Sequence, residues 1–100
     1  MPKAKLPVIH PGEILSEEFL DPLGISAAQL ARETSVPSHR IHEIVRGQRG
    51  ISADTALRLA RYFGTSDQFW LNLQSRYELA LERDRLGQRL QREVRVLVKG

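Results

Sequence analysis

The sequence predicts an all-α fold: a helix-turn-helix domain of five helices followed by a C-terminal extension. Three observations carry that reading. Apolar residues recur at three- and four-residue spacing in five consecutive segments. Those segments are bounded by Ser, Pro or Gly where a helix starts or stops. Residues 23–50, LGISAAQLARETSVPSHRIHEIVRGQRG, read as two short helices joined by a tight turn, with apolar side chains where such a pair must lock together.

The first helix spans Pro11 to Asp21, with Ile14, Leu15, Phe19 and Leu20 on one side, Glu13, Glu17 and Glu18 on the other, and Pro22 expected to end it. The second covers about Ala27 to Thr34. Ser26 is its N-cap, and Gln29 three residues on completes a capping box. The third runs from Pro37, whose fixed φ and missing N–H suit a first helical position, to Arg46, and stops at Gly47. Leu30, Ala31, Val36, Ile41 and Ile44 point inward, and Ala31 is small enough to let the two helices cross closely. Ser35 takes the turn, where a left-handed backbone costs a residue other than glycine about 1 kcal/mol. Ser52 caps the fourth helix, SADTALRLARYF, with Ala56, Leu57, Leu59, Ala60 and Phe63 toward the core and Gly64 closing it. Ser66 opens the fifth, DQFWLNLQSRYELALE, in which Phe69, Trp70, Leu73, Tyr77, Ala80 and Leu81 recur at helical spacing.

The final segment, RDRLGQRLQREVRVLVKG, carries two periods. Leu86, Leu90, Val94 and Leu97 follow a helix, while Val94, Val96 and Val98 alternate like a strand, and Gly87 weakens the helical reading. The residues alone leave both open. Either way its apolar side chains need a partner surface, and a second copy of the chain is the simplest. Leu73, Tyr77, Leu86, Leu90 and Val94 are the candidate dimer interface.

Bulk composition narrows the function. A chain of 100 residues, 41% hydrophobic, has material for one modest core. No apolar run approaches a membrane span, and the N-terminal MPKAKLPVIHPG has no apolar signal core, so the expected location is the cytoplasm. With no cysteine, disulfides and thiolate chemistry are excluded. The net charge of +3 is unevenly spread: residues 1–82 hold nine Lys and Arg against ten Asp and Glu, whereas residues 83–100 hold six against two. A near-neutral body still binds DNA through a local patch.

That patch lies on the third helix. At 3.6 residues per turn its outward positions are almost all hydrogen-bonding, as in a helix that enters the major groove. Ser38, His39, His42 and Glu43 are the candidate base contacts, with Glu43 suited to accept from cytosine N4 and His39 to donate to guanine. Arg40, Arg46, Gln48 and Arg49 border the face as candidate phosphate contacts, joined by Ser26 and the N–H groups of the helix it caps. Residues 1–82 thus form the expected DNA-binding domain, with its motif at about 26–47, and residues 83–100 a basic tail that serves as a dimerisation element. A dimer places two recognition helices about one DNA turn apart and matches a palindromic site.

Other chemistries find little support. His39 and His42 have a spacing that can hold a metal, but no third ligand is placed beside them, so no metal and no cofactor are expected. Ser38 and His39 are not a nucleophile and its base, because helix neighbours point about 100° apart, and no enzyme is expected. His10 reads as a cap or packing residue, and Phe69 and Trp70 as core rather than a base-stacking platform. The tail arginines fit a solvated face as well as they fit DNA or protein contact.

The opening IHPGEILSEEFLDPLGIS, the motif QLARETSVPSHRIHEIVRGQRGIS and the run DTALRLARYFGTSDQFWLNLQSRYEL together resemble the HigA family of antitoxins, addiction-module antidote proteins with a lambda-repressor-like, Xre-type helix-turn-helix. The likeness runs from about Ile9 to Val98, and HPGE and GTSDQFWLNLQ are its more specific parts. It implies a homodimer that binds operator DNA, represses its own operon and neutralises a HigB-type ribonuclease toxin. In the broader fold the second, third and seventh positions of the recognition helix touch bases, which here are Ser38, His39 and Glu43. The competing readings are a stand-alone Xre-type transcriptional regulator and a protein-interaction module without sequence-specific DNA binding.

Overall fold

Six helices follow one another in the computed structural model, which describes residues 8–98. The two N-terminal lysines, Lys3 and Lys5, lie outside the described residues, as does Lys99 at the end of the tail. α1 occupies residues 11–23 as three consecutive pieces: an α-helical turn at Pro11–Ile14, a π-helical segment at Leu15–Leu20 and an α-helical turn at Asp21–Leu23. The remaining helices are α2 (Ala27–Thr34), α3 (Ser38–Val45), α4 (Ala53–Phe63), α5 (Asp67–Leu86) and α6 (Arg89–Glu93).

Pro22 does not end α1 as the sequence predicts. The Asp21 N–H reaches back five residues to the Ser16 carbonyl, and this wider turn displaces the carbonyls that a proline ring would strike. The helix ends instead at left-handed Gly24 (φ 64°), where the Ile25 N–H returns to the Leu20 carbonyl at 2.9 Å. At its other end His10 is the N-cap, its Nδ1 accepting from the Gly12 N–H at 2.9 Å. The His10 ring also meets Tyr77 of α5 edge-on, with centroids 4.7 Å apart, so it both caps and packs.

The predicted serine caps form. Ser26 accepts from the Gln29 N–H (3.0 Å), Ser52 from Thr55 (3.3 Å) and Ser66 from Phe69 (3.0 Å). Only half of the expected capping box is made, because the Gln29 side chain donates to Glu33 one turn on rather than reaching back. Pro37 is the N-cap of α3 rather than its first residue: its ψ of 137° is extended, and its carbonyl accepts the first helical N–H groups, from Arg40 and Ile41.

The core lies among α1, α2, α3, α4 and the first turns of α5. Leu15, Leu30, Ile41, Ile44, Leu59 and Trp70 are fully buried. Trp70 joins Phe19, Phe63 and Phe69 in an aromatic cluster, and its Nε1–H donates to Thr65 Oγ1 at 2.8 Å, so its polar edge is satisfied inside the core. Two expected core positions are exposed. Leu57 lies 58% accessible because it falls on the flank of α4 opposite the stripe made by Thr55, Ala56, Leu59 and Ala60. Leu81 lies 44% accessible because α5 has by then run past the other helices.

α5 continues to Leu86, about 30 Å from its start at 1.5 Å per residue, and is broken at Gly87. Of the two periods in the tail only the helical one forms: α6 covers Arg89–Glu93, while residues 94–98 follow without regular structure, so the alternation of Val94, Val96 and Val98 makes no strand. The Cα radius of gyration is 17.2 Å, against about 13 Å for a compact chain of this length, because this C-terminal part projects from the rest. Leu90, Val94, Val96, Leu97 and Val98 are exposed along it.

Candidate nucleic-acid interface

The interface is built on α3, and α3 is held from behind. Ile41 and Ile44 are fully buried and Val36 nearly so, which fixes the rotation of the helix and turns its polar residues outward. Gly12 of α1 packs against the Ile44 carbonyl, with no room for a side chain between them. Behind the turn, Ser35 is left-handed (φ 55°, ψ 40°), as expected, and stands alone among the described residues other than glycine in having positive φ. Arg58 of α4 stabilises that turn: its Nη1 donates to the carbonyls of Thr34 (3.0 Å) and Ser35 (3.4 Å), and its Nε to Asp54 (2.9 Å). Tyr62 adds a hydrogen bond to Glu33, which pushes the Tyr62 phenol up from its ordinary pKa.

α3 stops at Gly47 (φ 77°), where the Gln48 N–H returns to the Glu43 carbonyl at 2.8 Å. The loop beyond is fastened to α5, because Gln74 Oε1 accepts from the Ile51 N–H at 2.7 Å and its side chain lies against Gly50. The His10 ring covers Gly47 and hydrogen-bonds the Arg49 backbone. Burial of that ring holds His10 below its ordinary pKa, only partly opposed by that hydrogen bond and by Glu13.

Ser38 and His39 are exposed at the start of α3, with His42 and Glu43 half-buried one turn on. His42 Nδ1 donates to the Ser38 carbonyl at 2.8 Å and lies 3.3 Å from Ser38 Oγ, which in the neutral ring leaves Nε2 as an acceptor without a partner among the described residues. Glu43 is engaged. Arg49 Nε donates to its Oε1 at 2.7 Å, and that bond, aided by the charges of Arg49, His39 and Arg40, holds its carboxyl below the usual carboxylate range. Arg40 is half-buried with its Nε lacking a partner among the described residues. Arg46 and Gln48 are exposed, and Ser26 uses its Oγ as the cap of α2. Arg58, Gln74 and the contact of His10 with the Arg49 backbone were not signalled by the sequence as parts of this assembly.

The candidate dimer residues separate into two places. Leu73 and Tyr77 line an apolar groove of about 470 Å³ with Val8, Ile9, Ile14 and Ala80, whereas Leu86, Leu90 and Val94 lie on the projecting part. Among the described residues no helix is long and apolar enough to cross a membrane, and no group of three His, Cys, Asp or Glu is placed to hold a metal.

The helix-turn-helix family matches residues 17–70. Virulence-associated protein I of Dichelobacter nodosus is 60% identical over 79% of this chain and 73% of its own length. Antitoxin HigA-1 of Vibrio cholerae is 34% identical over 85% of this chain and 80% of its own. The Pseudomonas aeruginosa antitoxin HigA, solved with the higBA promoter, is 52% identical, covers 92% of this chain over its own whole length and superposes with a TM-score of 0.88.

Proposed function

Because the chain belongs to the helix-turn-helix family and, within it, to the HigA antitoxins, we propose that it binds palindromic operator DNA as a homodimer, represses the operon that encodes it and neutralises a HigB-type ribonuclease toxin. Its place of action is the cytoplasm, where such an operator is. The observation that carries this reading is the outward face of α3, where Ser38, His39, His42 and Glu43 present mixed donors and acceptors over a rigid apolar back. Those four side chains face base edges. Ser26, Arg40, Arg46, Gln48 and Arg49 border them and take phosphates, which set position rather than sequence. The domain that reads DNA is residues 1–82. The basic tail, residues 83–100, pairs the protomers with Leu73, Tyr77, Leu86, Leu90 and Val94, and its exposed apolar side chains are the surface that pairing would cover.

A reporter placed under the chain's own promoter tests the two activities together. Expression of the chain is expected to silence the reporter and to relieve growth arrest by the toxin encoded beside it. The triple variant Ser38→Ala, His39→Ala, His42→Ala is expected to lose repression and keep protection. Full repression by that variant overturns the assignment of the α3 face, and failure of the parent to protect overturns the antitoxin reading.

A further inference from the structure

We infer that Glu43 and Arg49 act as one unit that reads a single G·C base pair, a step that rests on the operator-binding reading above and takes Arg49 from the phosphate border onto the base-reading face. The pair joins the last turns of α3 to the loop beyond Gly47, six residues on, through Arg49 Nε and Glu43 Oε1 at 2.7 Å. Both side chains remain accessible, 47% for Arg49 and 36% for Glu43. Among the described residues Glu43 Oε2 and the two Nη groups of Arg49 make no hydrogen bond, so the unit offers an acceptor beside a fork of N–H donors.

In the major groove a G·C pair presents the complement of that set: O6 and N7 acceptors on guanine and the N4 donor on cytosine. An A·T pair fails it, because adenine puts a donor beside N7 where the arginine fork needs a second acceptor. Two physical arguments favour the paired arrangement over separate roles. A lone carboxylate entering the groove meets the phosphate field, and the Arg49 charge beside it cancels that repulsion. A free arginine loses rotamer freedom on docking, and an Nε already anchored fixes the guanidinium plane beforehand. A phosphate contact does not call for the carboxylate, since phosphate is itself the anion that the guanidinium would pair with.

The test uses the full chain and fluorescence anisotropy on a promoter duplex, with each G·C pair of the site replaced in turn by A·T. The parent is expected to lose roughly 5- to 150-fold in affinity at one position in each half-site, the range of one good bidentate base contact. Arg49→Lys, which keeps the charge, and Glu43→Ala, which removes the anchor, are each expected to reduce that penalty to within about twofold at the same position, and the double variant to go no further, as residues acting together do. Preferences elsewhere in the site persist, and thermal melts show both variants folded. If both variants keep every positional penalty while Arg49→Ala weakens all duplexes equally and lowers the salt slope by about one, Arg49 is a phosphate contact and the inference is overturned alone. A parent without any sequence preference overturns the operator reading and this inference with it.

Discussion

A Cβ added to Gly12 would lie 1.7 Å from the carbonyl oxygen of Ile44, so the first turn of α1 rests backbone to backbone on the recognition helix. The HPGE run thereby acquires a physical meaning. His10 caps the turn, Pro11 starts it and is buried, and Gly12 removes the atom that would otherwise push α3 away from the core.

Gly12→Ala is therefore expected to cost about 3 kcal/mol, the upper end for overpacking, and to lower Tm by more than about 10 °C in a domain of this size. Gly24→Ala, left-handed but with nothing within 4 Å of its Cβ, is the control, with an expected loss of about 1–2 kcal/mol. Equal melting losses for the two would show that the close approach has no energetic weight.

Arg58 supports the turn of the motif through the Thr34 and Ser35 carbonyls. Arg58→Met keeps much of the apolar stem and removes the donors, so a loss of about 1 kcal/mol is expected, with little from the exposed Asp54 pair. Ser35→Gly relieves left-handed strain against the added freedom of the unfolded chain, for a net gain of about 0.5 kcal/mol. Urea unfolding of both variants measures this, and stabilisation by Arg58→Met would contradict the role given to Arg58.

His10 links stability to pH. Burial holds its folded pKa below the ordinary value of 6.5, so the unfolded chain takes up the proton first. Its contribution is complete above 6.5 and is lost as pH falls from there toward the folded value. A protonated ring also has no free Nδ1 to accept from Gly12. His10→Asn keeps a capping oxygen and removes the titration. The difference in unfolding free energy, parent minus variant, is expected to shrink between pH 7.5 and 5.5; a difference that grows toward acid would refute this.

Thr65→Val leaves the Trp70 indole N–H buried without its acceptor. The expected cost is about 1–3 kcal/mol, with a shift in tryptophan emission. Unchanged stability would mean that another acceptor takes over.

The parts of this fold legible in the sequence are those written locally. Ser26, Ser52 and Ser66 cap their helices within three residues, Gly47 and Gly64 take left-handed φ, and the inward stripe of Leu30, Ile41 and Ile44 repeats at helical period. Pro22 misleads because a π-helical segment upstream accommodates it, a backbone feature with no residue signature. Leu57 misleads because an apolar side chain on the flank of a buried stripe looks the same whether or not another element covers it. The hydrogen bonds of Arg58 and Gln74 join residues 23 and 24 positions apart, and long polar side chains carry no sign of such distant partners. Of the interface, the identity of the outward residues on α3 was legible, but the Glu43–Arg49 pair was not, since it spans a left-handed turn at Gly47 rather than a helical i,i+4 step.

If the α3 face reads an operator, the chain prefers its own promoter to other DNA. Titration of the full chain against its own promoter fragment and a scrambled duplex of equal length, at several salt concentrations, addresses it most directly. Saturable nanomolar binding to the promoter, two protomers per palindrome, falling steeply with salt and weaker by about a thousandfold or more on the scrambled duplex, is the predicted result. Equal affinity for both duplexes, with the toxin present or absent, would contradict it.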